Sequence, residues 1–514
     1  MEGPHKRPAP ETPGGGTLPA DPLEFSPAAR ARWECSAEEI RRVGREVVDL
    51  IAEHLTTLPG RPVFRPYPAA RADAMAGTPM PSDGTDASAI LAEFAETIEP
   101  YPLGNGHPRF YGWVNSPPAV MGVFAEALAA AMNPSCAGGN HAAVHLERQV
   151  LRWFAEMLGF PGDAGGLLVS GGSMATVTAL AVARHVATAG GVRDRGLART
   201  GSPLVVYTSA EGHGCIRKAV ELLGLGAEHL RAIPCDEAYR LRVPDLERAI
   251  DADAAAGLRP AAVVATAGTV NTGAIDPLAD LAALCRHCGL WFHVDGAYGA
   301  PAVLVRDYRD QLAPIALADS VAVDPHKWLY VPVEAGLVLV RNGDAMRGAF
   351  SLVPPYLRSA GEVGGPPWFS EFGPQQTRGF RALKVWMALK HHGRRGYAEA
   401  IARDIALARH LASLVDASGD LELAAPPSLS IVCFRYAPPP LRADPDLADA
   451  VNRAVLEELQ LGGAVFLTST TLGGRFVLRA CIVNPRARRA DLDLLVDLVR
   501  DAGRRALRAA AASG

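Results

Sequence analysis

The chain reads as an α/β protein with a mostly parallel central sheet, a small C-terminal α+β domain and an N-terminal helical arm. Three observations predict this. From about residue 120, short apolar runs alternate with helical segments of ten or more residues, the pattern of βαβ units. Past about residue 383 the order becomes a long helix, several β-patterned runs and a last helix. Ahead of residue 118, apolar residues recur at helical spacing in pieces too small to bury a face alone. A length of 514 residues also asks for more than one core. The expected divisions are 1–30 as a disordered leader, 31–118 as a helical dimerisation arm, 119–383 as the large domain and 384–514 as the small C-terminal domain.

Each element has its local reason. The first residues hold Pro4, Pro8, Pro10 and Gly14 to Gly16 with no long apolar stretch, so a disordered leader is expected and not a secretory signal. Ser36-Ala-Glu-Glu39 is a capping-box pattern that opens a helix to about Leu58, with Ile40, Val43, Val47, Leu50 and Ile51 at helical spacing. Residues 59–86, rich in Pro, Gly and Ala, form a linking arm, and a helix follows over about 87–98. In the body, helices over 141–158, 173–188, 215–223 and 277–288 alternate with strands 167–170, 204–207, 262–266, 291–294, 320–323 and 336–340. Residues 353–375 are Pro/Gly-rich, which inside a folded body reads as a functional loop. Strands near 430–436, 464–468 and 475–482 precede a helix over 490–509.

Composition excludes several classes. Hydrophobic content is 49% against 21% charged, as in a soluble globular chain. A net charge of −4 offers no broad basic surface to nucleic acid or membrane. No run of about eighteen uncharged apolar residues suggests a transmembrane helix. Eight scattered cysteines are no disulfide framework and point to a reducing, cytoplasmic setting. Cys285-Arg-His-Cys288 has no second pair at ligand spacing, so it reads as one turn of a helix ending at Gly289, and no metal is expected.

The chemistry gathers just after strands, where sites of parallel sheets lie. Ser170-Gly171-Gly172-Ser173 follows a strand and opens a helix. Small residues there admit a phosphate to backbone N–H groups, and Ser173 adds a hydroxyl. The motif is neither a Walker loop nor a dinucleotide fingerprint, and taken alone it is a weak signal, since Gly-Gly before a helix is often only a tight turn. His213 follows a strand and could stack on a planar ring, although loop histidines are commonly just solvated. Asp295 ends an apolar strand, where a half-buried carboxylate needs a partner such as a protonated ring nitrogen, unless it caps a local turn. Lys327 ends another, within Asp324-Pro325-His326-Lys327-Trp328. The chain has five lysines (Lys6, Lys218, Lys327, Lys384, Lys390) among 51 Lys+Arg. A lysine retained in an apolar run stands where an always-charged guanidinium would not serve as a nucleophile. Phosphate turn, histidine, strand-end carboxylate and amine, in that order, are the parts of a pyridoxal phosphate site. The amine forms a Schiff base with the cofactor aldehyde, and the carboxylate keeps the ring nitrogen protonated so that the ring accepts electrons.

From about residue 33 to the C-terminus the chain resembles the group II pyridoxal-phosphate-dependent amino-acid decarboxylases, the family of aromatic-L-amino-acid decarboxylase. The resemblance rests on the stretches Arg41 to Asp49, His107-Pro-Arg-Phe110, His145-Leu-Glu147, Ala265-Thr-Ala-Gly-Thr269, His293-Val-Asp-Gly-Ala-Tyr298 and, most specifically, Pro325-His-Lys-Trp328. It implies a fold-type-I, aspartate-aminotransferase-like scaffold in which 119–383 bind pyridoxal 5'-phosphate, and a homodimer with the active site at the subunit interface. It also implies roles. Lys327 is the Schiff-base lysine and Asp295 holds the ring nitrogen, with Ala297 beneath the ring and His213 on its other face. Gly172 and Ser173 hold the phosphate, Thr266 and Thr269 flank the cofactor strand, and His326 sits beside the Schiff base. Asp324 stands where the aromatic decarboxylases carry asparagine, so its charge must be neutralised or lie aside. Val270 replaces a threonine. Tyr356, in the loop 348–357, protonates the substrate carbon after CO2 leaves; phenylalanine there accompanies the aldehyde-forming branch. Phe110, Trp113 and Ser116 are candidate substrate-binding residues. Residues 132–141 are small and polar where that family has isoleucine, phenylalanine and tryptophan, which leaves the substrate open.

The expected activity is decarboxylation of an L-amino acid to its amine and CO2, with Trp, Tyr, Phe or dihydroxyphenylalanine foremost. An acidic or aliphatic substrate, an oxidative aldehyde-forming or retro-aldol reaction, and a catalytically retired cofactor-binding homologue are the alternatives. The presence of Lys327, Asp295, His213 and Tyr356 together argues against the last.

Overall fold

The computed structural model describes residues 33–352 and 367–513, together with Phe25 and Arg30. Most of the expected leader, and Tyr356, lie outside the described residues. Two compact units are present, Met1–Leu103 and Gly104–Gly514.

In the first unit the helix Ala37–Thr57 is capped by Ser36, whose hydroxyl accepts from the Glu39 amide at 3.1 Å. Glu39 does not return the bond as a capping box would; its carboxylate holds Arg42 instead, at 2.7 Å. Arg42 and Glu46 also bond Ser88 of the helix Ala87–Thr97, which ties the two helices together. No residue of the helix Ala37–Thr57 is buried, and Ile40 and Val47 of its apolar stripe are exposed. A helix over Ala69–Gly77 occupies the expected linking arm. Its alanine content outweighs the surrounding prolines, because Pro68 precedes the first helical residue, where no N–H is needed.

The second unit is built on strands. Among the described residues, β1 (Gly165–Val169), β2 (Leu204–Ser209), β3 (Leu230–Ile233), β4 (Arg259–Thr266), β5 (Trp291–Asp295), β6 (Ser320–Val323) and β7 (Gly336–Val340) form one sheet in the order β1-β7-β6-β5-β4-β2-β3. All pairings are parallel except those of β7, which runs antiparallel to β1 and β6. β1, β2, β6 and β7 are buried along their whole length, as expected for strands with helices on both faces. β3 and the helix Val243–Ala255 have no counterpart in the sequence reading. β3 is an edge strand, short and half-exposed, and its Leu-Arg-Ala-Ile lacks a clear period.

A second, antiparallel sheet holds β8 (Leu421–Leu423), β9 (Ile431–Tyr436), β10 (Thr468–Leu472) and β11 (Arg475–Cys481), in the order β10-β11-β9-β8. The strand expected at 464–468 is displaced: β10 begins at Thr468. The apolar run ahead of it bonds elsewhere, since the Phe466 amide donates to the Arg109 carbonyl (3.1 Å) and the Tyr111 amide to the Phe466 carbonyl (2.8 Å). Gly473 and Gly474, with φ of 54° and 78°, make the two-residue turn between β10 and β11 that only left-handed residues allow. The helix Arg381–Asp416 spans the two sheets, with a break at Gly393. No helix among the described residues is long and apolar enough to cross a membrane.

Candidate active site

A cavity of about 450 Å³ opens at the carboxyl ends of β4, β5 and β6 and at the start of the helix Gly172–Ala187. The turn from β1 into that helix sits very close to its neighbours. A Cβ on Gly336 would lie 2.4 Å from Gly171 Cα, and one on Gly172 would lie 2.9 Å from Asp324 Oδ2 and 3.1 Å from the Ala297 Cβ. The turn is anchored from behind. The Leu168 amide of β1 donates to Glu147 at 3.0 Å, and Glu147 is itself ion-paired to Arg378 at 2.5 Å, both fully buried. Within the motif His145-Leu-Glu147 it is therefore Glu147 that braces the sheet beneath the site, and none of the three lines the cavity.

Lys327 follows β6 in a tight turn. Its amide donates to the Asp324 carbonyl at 2.9 Å, and its Nζ lies 2.8 Å from Asp324 Oδ2. Burial opposes charge on Lys327, but Asp324 and then Asp295 outweigh it, and the ammonium is held above the ordinary lysine value. The charge of Asp324 is thus neutralised by Lys327 itself. The other Asp324 oxygen is buried and has no hydrogen-bond partner among the described residues. His326 lies 3.8 Å from Asp324, and its Nδ1 sits 2.7 Å from the Ala335 carbonyl oxygen.

Asp295 ends β5, buried, with one oxygen accepting from the Ala297 amide at 3.1 Å. The second oxygen borders the cavity and has no hydrogen bond among the described residues. His213 precedes the helix Gly214–Leu222 as its cap, and its Nδ1 accepts from the Cys215 amide at 3.2 Å. That bond assigns the ring proton to Nε2. Thr266 ends β4; its hydroxyl is buried and has no hydrogen-bond partner among the described residues. An orphaned hydroxyl, a glycine cradle at a helix N-terminus, a free carboxylate oxygen and a lysine amine around one cavity suit a planar, phosphorylated, cationic-ring cofactor. Pyridoxal phosphate fits these residues.

Gly172, Ser173, His213, Thr266, Asp295, Ala297, Asp324, His326, Lys327 and Trp113 all border the cavity. Three expected site residues do not. Thr269 turns its hydroxyl to Thr272 (2.9 Å) and to the Ala274 amide (3.1 Å), closing the turn after β4. Phe110 is buried and stacked on Phe466, with centroids 5.0 Å apart. Ser116 is buried and donates to the His326 carbonyl at 3.3 Å, so it supports the lysine turn from outside. Tyr356 lies outside the described residues. Trp113 is 44% exposed, with φ of 48° and its ring 5.6 Å from Phe466.

Cys215 and Glu334 also border the cavity and carried no legible signal, and Tyr298, quoted within the stretch His293–Tyr298, borders it without having been given a role. The Cys215 thiol is 3.8 Å from Thr176, and burial pushes it up to about 12, so it is a neutral wall and not a nucleophile. Among the described residues no group of His, Cys, Asp and Glu could hold a metal ion.

A family model of the pyridoxal-dependent decarboxylase conserved domain matches residues 72–437. The chain is similar to the aromatic-L-amino-acid decarboxylase of Bacillus atrophaeus, 36% identical over 456 residues that cover 88% of this chain and 93% of the relative. It is also similar to the phenylacetaldehyde synthase of Arabidopsis thaliana, 29% identical over 464 residues, 87% of this chain and 92% of that one. Among solved structures, Oryza sativa TDC with PLP and tryptamine matches with a TM-score of 0.85 at 27% identity, covering 94% of this chain and 99% of the other.

Proposed function

The chain belongs to the pyridoxal-dependent decarboxylases, is a fold-type-I pyridoxal phosphate enzyme and a carboxy-lyase, and from that premise we propose that it converts an aromatic L-amino acid to its amine and CO2. The observation that carries the aromatic reading is the half-exposed Trp113 ring at the cavity edge, backed by Phe466 and Phe110. Aromatic rings pack well against such a surface. No arginine is among the described residues that border the cavity, so a second carboxylate on the substrate would lack the fork-shaped partner it needs. The Bacillus relative's name and the tryptamine in the rice structure support the same choice.

Bound pyridoxal phosphate supplies the electron sink for the bond to the departing carboxylate. The residues of the chain do the rest. The amides that open the helix Gly172–Ala187, with the Ser173 hydroxyl, hold the phosphate. Asp295 would keep a proton on the ring nitrogen, and His213, its Nδ1 engaged by the Cys215 amide, would lie against the ring. Lys327 provides the amine, and Asp324 at 2.8 Å holds and orients it. Tyr356 is the proposed proton donor to the substrate α-carbon. Two copies of the chain form the working unit, in the cytoplasm.

The test is release of CO2 and amine from Trp, Tyr, Phe and dihydroxyphenylalanine, set against acidic and aliphatic amino acids. Turnover confined to the acidic or aliphatic set would overturn the aromatic assignment. Aldehyde in place of amine would move the protein to the chemistry named for its Arabidopsis relative.

A further inference from the structure

The contacts of the lysine turn extend beyond Asp324. Trp328 and Tyr330, just past Lys327, both donate to the same oxygen of Asp404, the indole Nε1 at 2.9 Å and the phenol at 2.7 Å. Asp404 lies in the helix Arg381–Asp416 and is fully buried, as is Trp328. Its other oxygen is buried with no hydrogen-bond partner among the described residues, although the Asn484 backbone amide is near enough to favour the charged form. Tyr330 has a φ of 55°, a left-handed conformation that a residue with a side chain keeps only when its surroundings fix it. Its amide reaches back to the Lys327 carbonyl at 3.3 Å, which closes the turn. The Trp328 ring stacks at 4.9 Å on Tyr298, a wall of the cavity.

We propose that Asp404 is a positioning residue for Lys327: by accepting from Trp328 and Tyr330 it fixes the turn that aims the lysine amine, and it fixes that turn more firmly as a carboxylate than as a neutral acid. The proposal rests on Lys327 being the cofactor-bearing amine. Hydrogen bonds to an ionised acceptor are shorter and roughly twice as strong as neutral ones. A neutral acid would also have to place its own proton.

Burial pushes the Asp404 carboxyl up to about 7, against the pull of Tyr330, Trp328 and Arg403. Arg403 spends its guanidinium on the Pro485 and Ala487 carbonyls. The other titratable groups facing Asp404 are Tyr330 and Cys481, and Tyr397 stacks behind Tyr330 at 6.3 Å; burial drives all three upward. His392 stands behind Tyr397, with ring centroids 5.5 Å apart. Asp404 is thus the group of this cluster that changes charge near neutrality, and the hold on Lys327 changes with it.

The experiment uses the full, cofactor-loaded chain and Asp404→Asn, which keeps an acceptor for both donors and lacks the charge. The indole N–H resonance of Trp328, assigned with Trp328→Phe, is followed with pH, beside the visible cofactor absorbance and kcat. In the unaltered protein the resonance is expected to titrate with a midpoint near 7. The absorbance should follow it, and kcat should fall about three- to tenfold on the acid side at constant KM. In Asp404→Asn the titration should vanish and kcat should stay at the acid-side value throughout. A Trp328 resonance without a midpoint between about pH 6 and about pH 8 overturns the proposal even if the variant does not fold. So does an Asp404→Asn enzyme with the unaltered kcat profile. Lys327→Ala separates the two levels: if it keeps the visible band, the assignment of Lys327 fails and the proposal with it. If the band is lost and Asp404→Asn is silent, the positioning role alone fails.

Discussion

The buried pair of Glu147 and Arg378 is the most consequential contact outside the cavity. Both side chains are fully enclosed, and their atoms meet at 2.5 Å and 3.2 Å. Arg378 also donates to the Cys136 carbonyl at 2.9 Å and the Leu168 carbonyl at 2.6 Å, while Glu147 accepts from the Leu168 amide. Glu147→Gln leaves a guanidinium without a counter-charge in the core, and Arg378→Met leaves a carboxylate in the same position. Each should cost about 3–5 kcal/mol, because an unpaired buried charge is the expensive product. The double variant leaves neither charge stranded, so its cost should fall short of the sum of the singles by about 2 kcal/mol or more. The assay is thermal unfolding of the four loaded proteins, with pyridoxal phosphate affinity measured in parallel. Affinity should drop in the singles, since Leu168 lies on the strand that feeds the Gly171–Gly172 turn. Additivity within about 0.5 kcal/mol would show that the two charges do not depend on each other and would refute the reasoning.

Further outcomes follow from the site. Asp324→Asn removes the main charge that raises the Lys327 ammonium; the amine should lose its proton at lower pH, and cofactor uptake by the apoprotein should shift its rate profile to lower pH, while an unmoved profile would contradict the ion pair. Gly172→Ala puts a Cβ 2.9 Å from Asp324 Oδ2 and 3.1 Å from Ala297, which should cost about 1–3 kcal/mol of cofactor affinity by equilibrium dialysis. Tyr356→Phe should slow amine formation and raise aldehyde formation, read by product chromatography; unchanged product ratios would remove Tyr356 from the proton transfer. For stability, the Asp404 carboxyl stands at about 7 in the fold against an ordinary 3.8, so the folded chain holds this proton more tightly than the unfolded chain. Raising the pH through that window takes the proton from the unfolded chain first and erodes stability. Asp404→Asn lacks this loss, so its Tm relative to the unaltered protein should climb between about pH 4 and about pH 7 and level off above; a difference that stays flat would contradict the raised carboxyl.

What could be read in one dimension was what short-range rules govern. An apolar run that ends in a polar residue gives both the strand and the position of its end, which is why the places of Asp295, Thr266 and the turn of Lys327 beside the cavity were legible, as was the glycine turn at Gly171–Ser173. Capping at Ser36 was legible for the same reason, being a contact three residues long. The mostly parallel sheet followed from the alternation of such runs with helices, since parallel neighbours need crossovers.

Tertiary structure decided the rest, because it chooses among partners distant in the chain. Thr266 and Thr269 look alike in sequence, yet only one hydroxyl faces the cavity, once the turn through Thr272 and Ala274 has claimed the other. Phe110 is an apolar residue ahead of the site, and only the approach of Phe466 turns it from a candidate wall into a support for Trp113. The run before β10 has strand character, and Arg109 and Tyr111 take its backbone bonds. Asp404 looks like one more polar position in a long helix, Glu147 like another. Each becomes consequential only where folding removes water and leaves a single set of partners, and burial of that kind is a property of the packed core and not of the local chain.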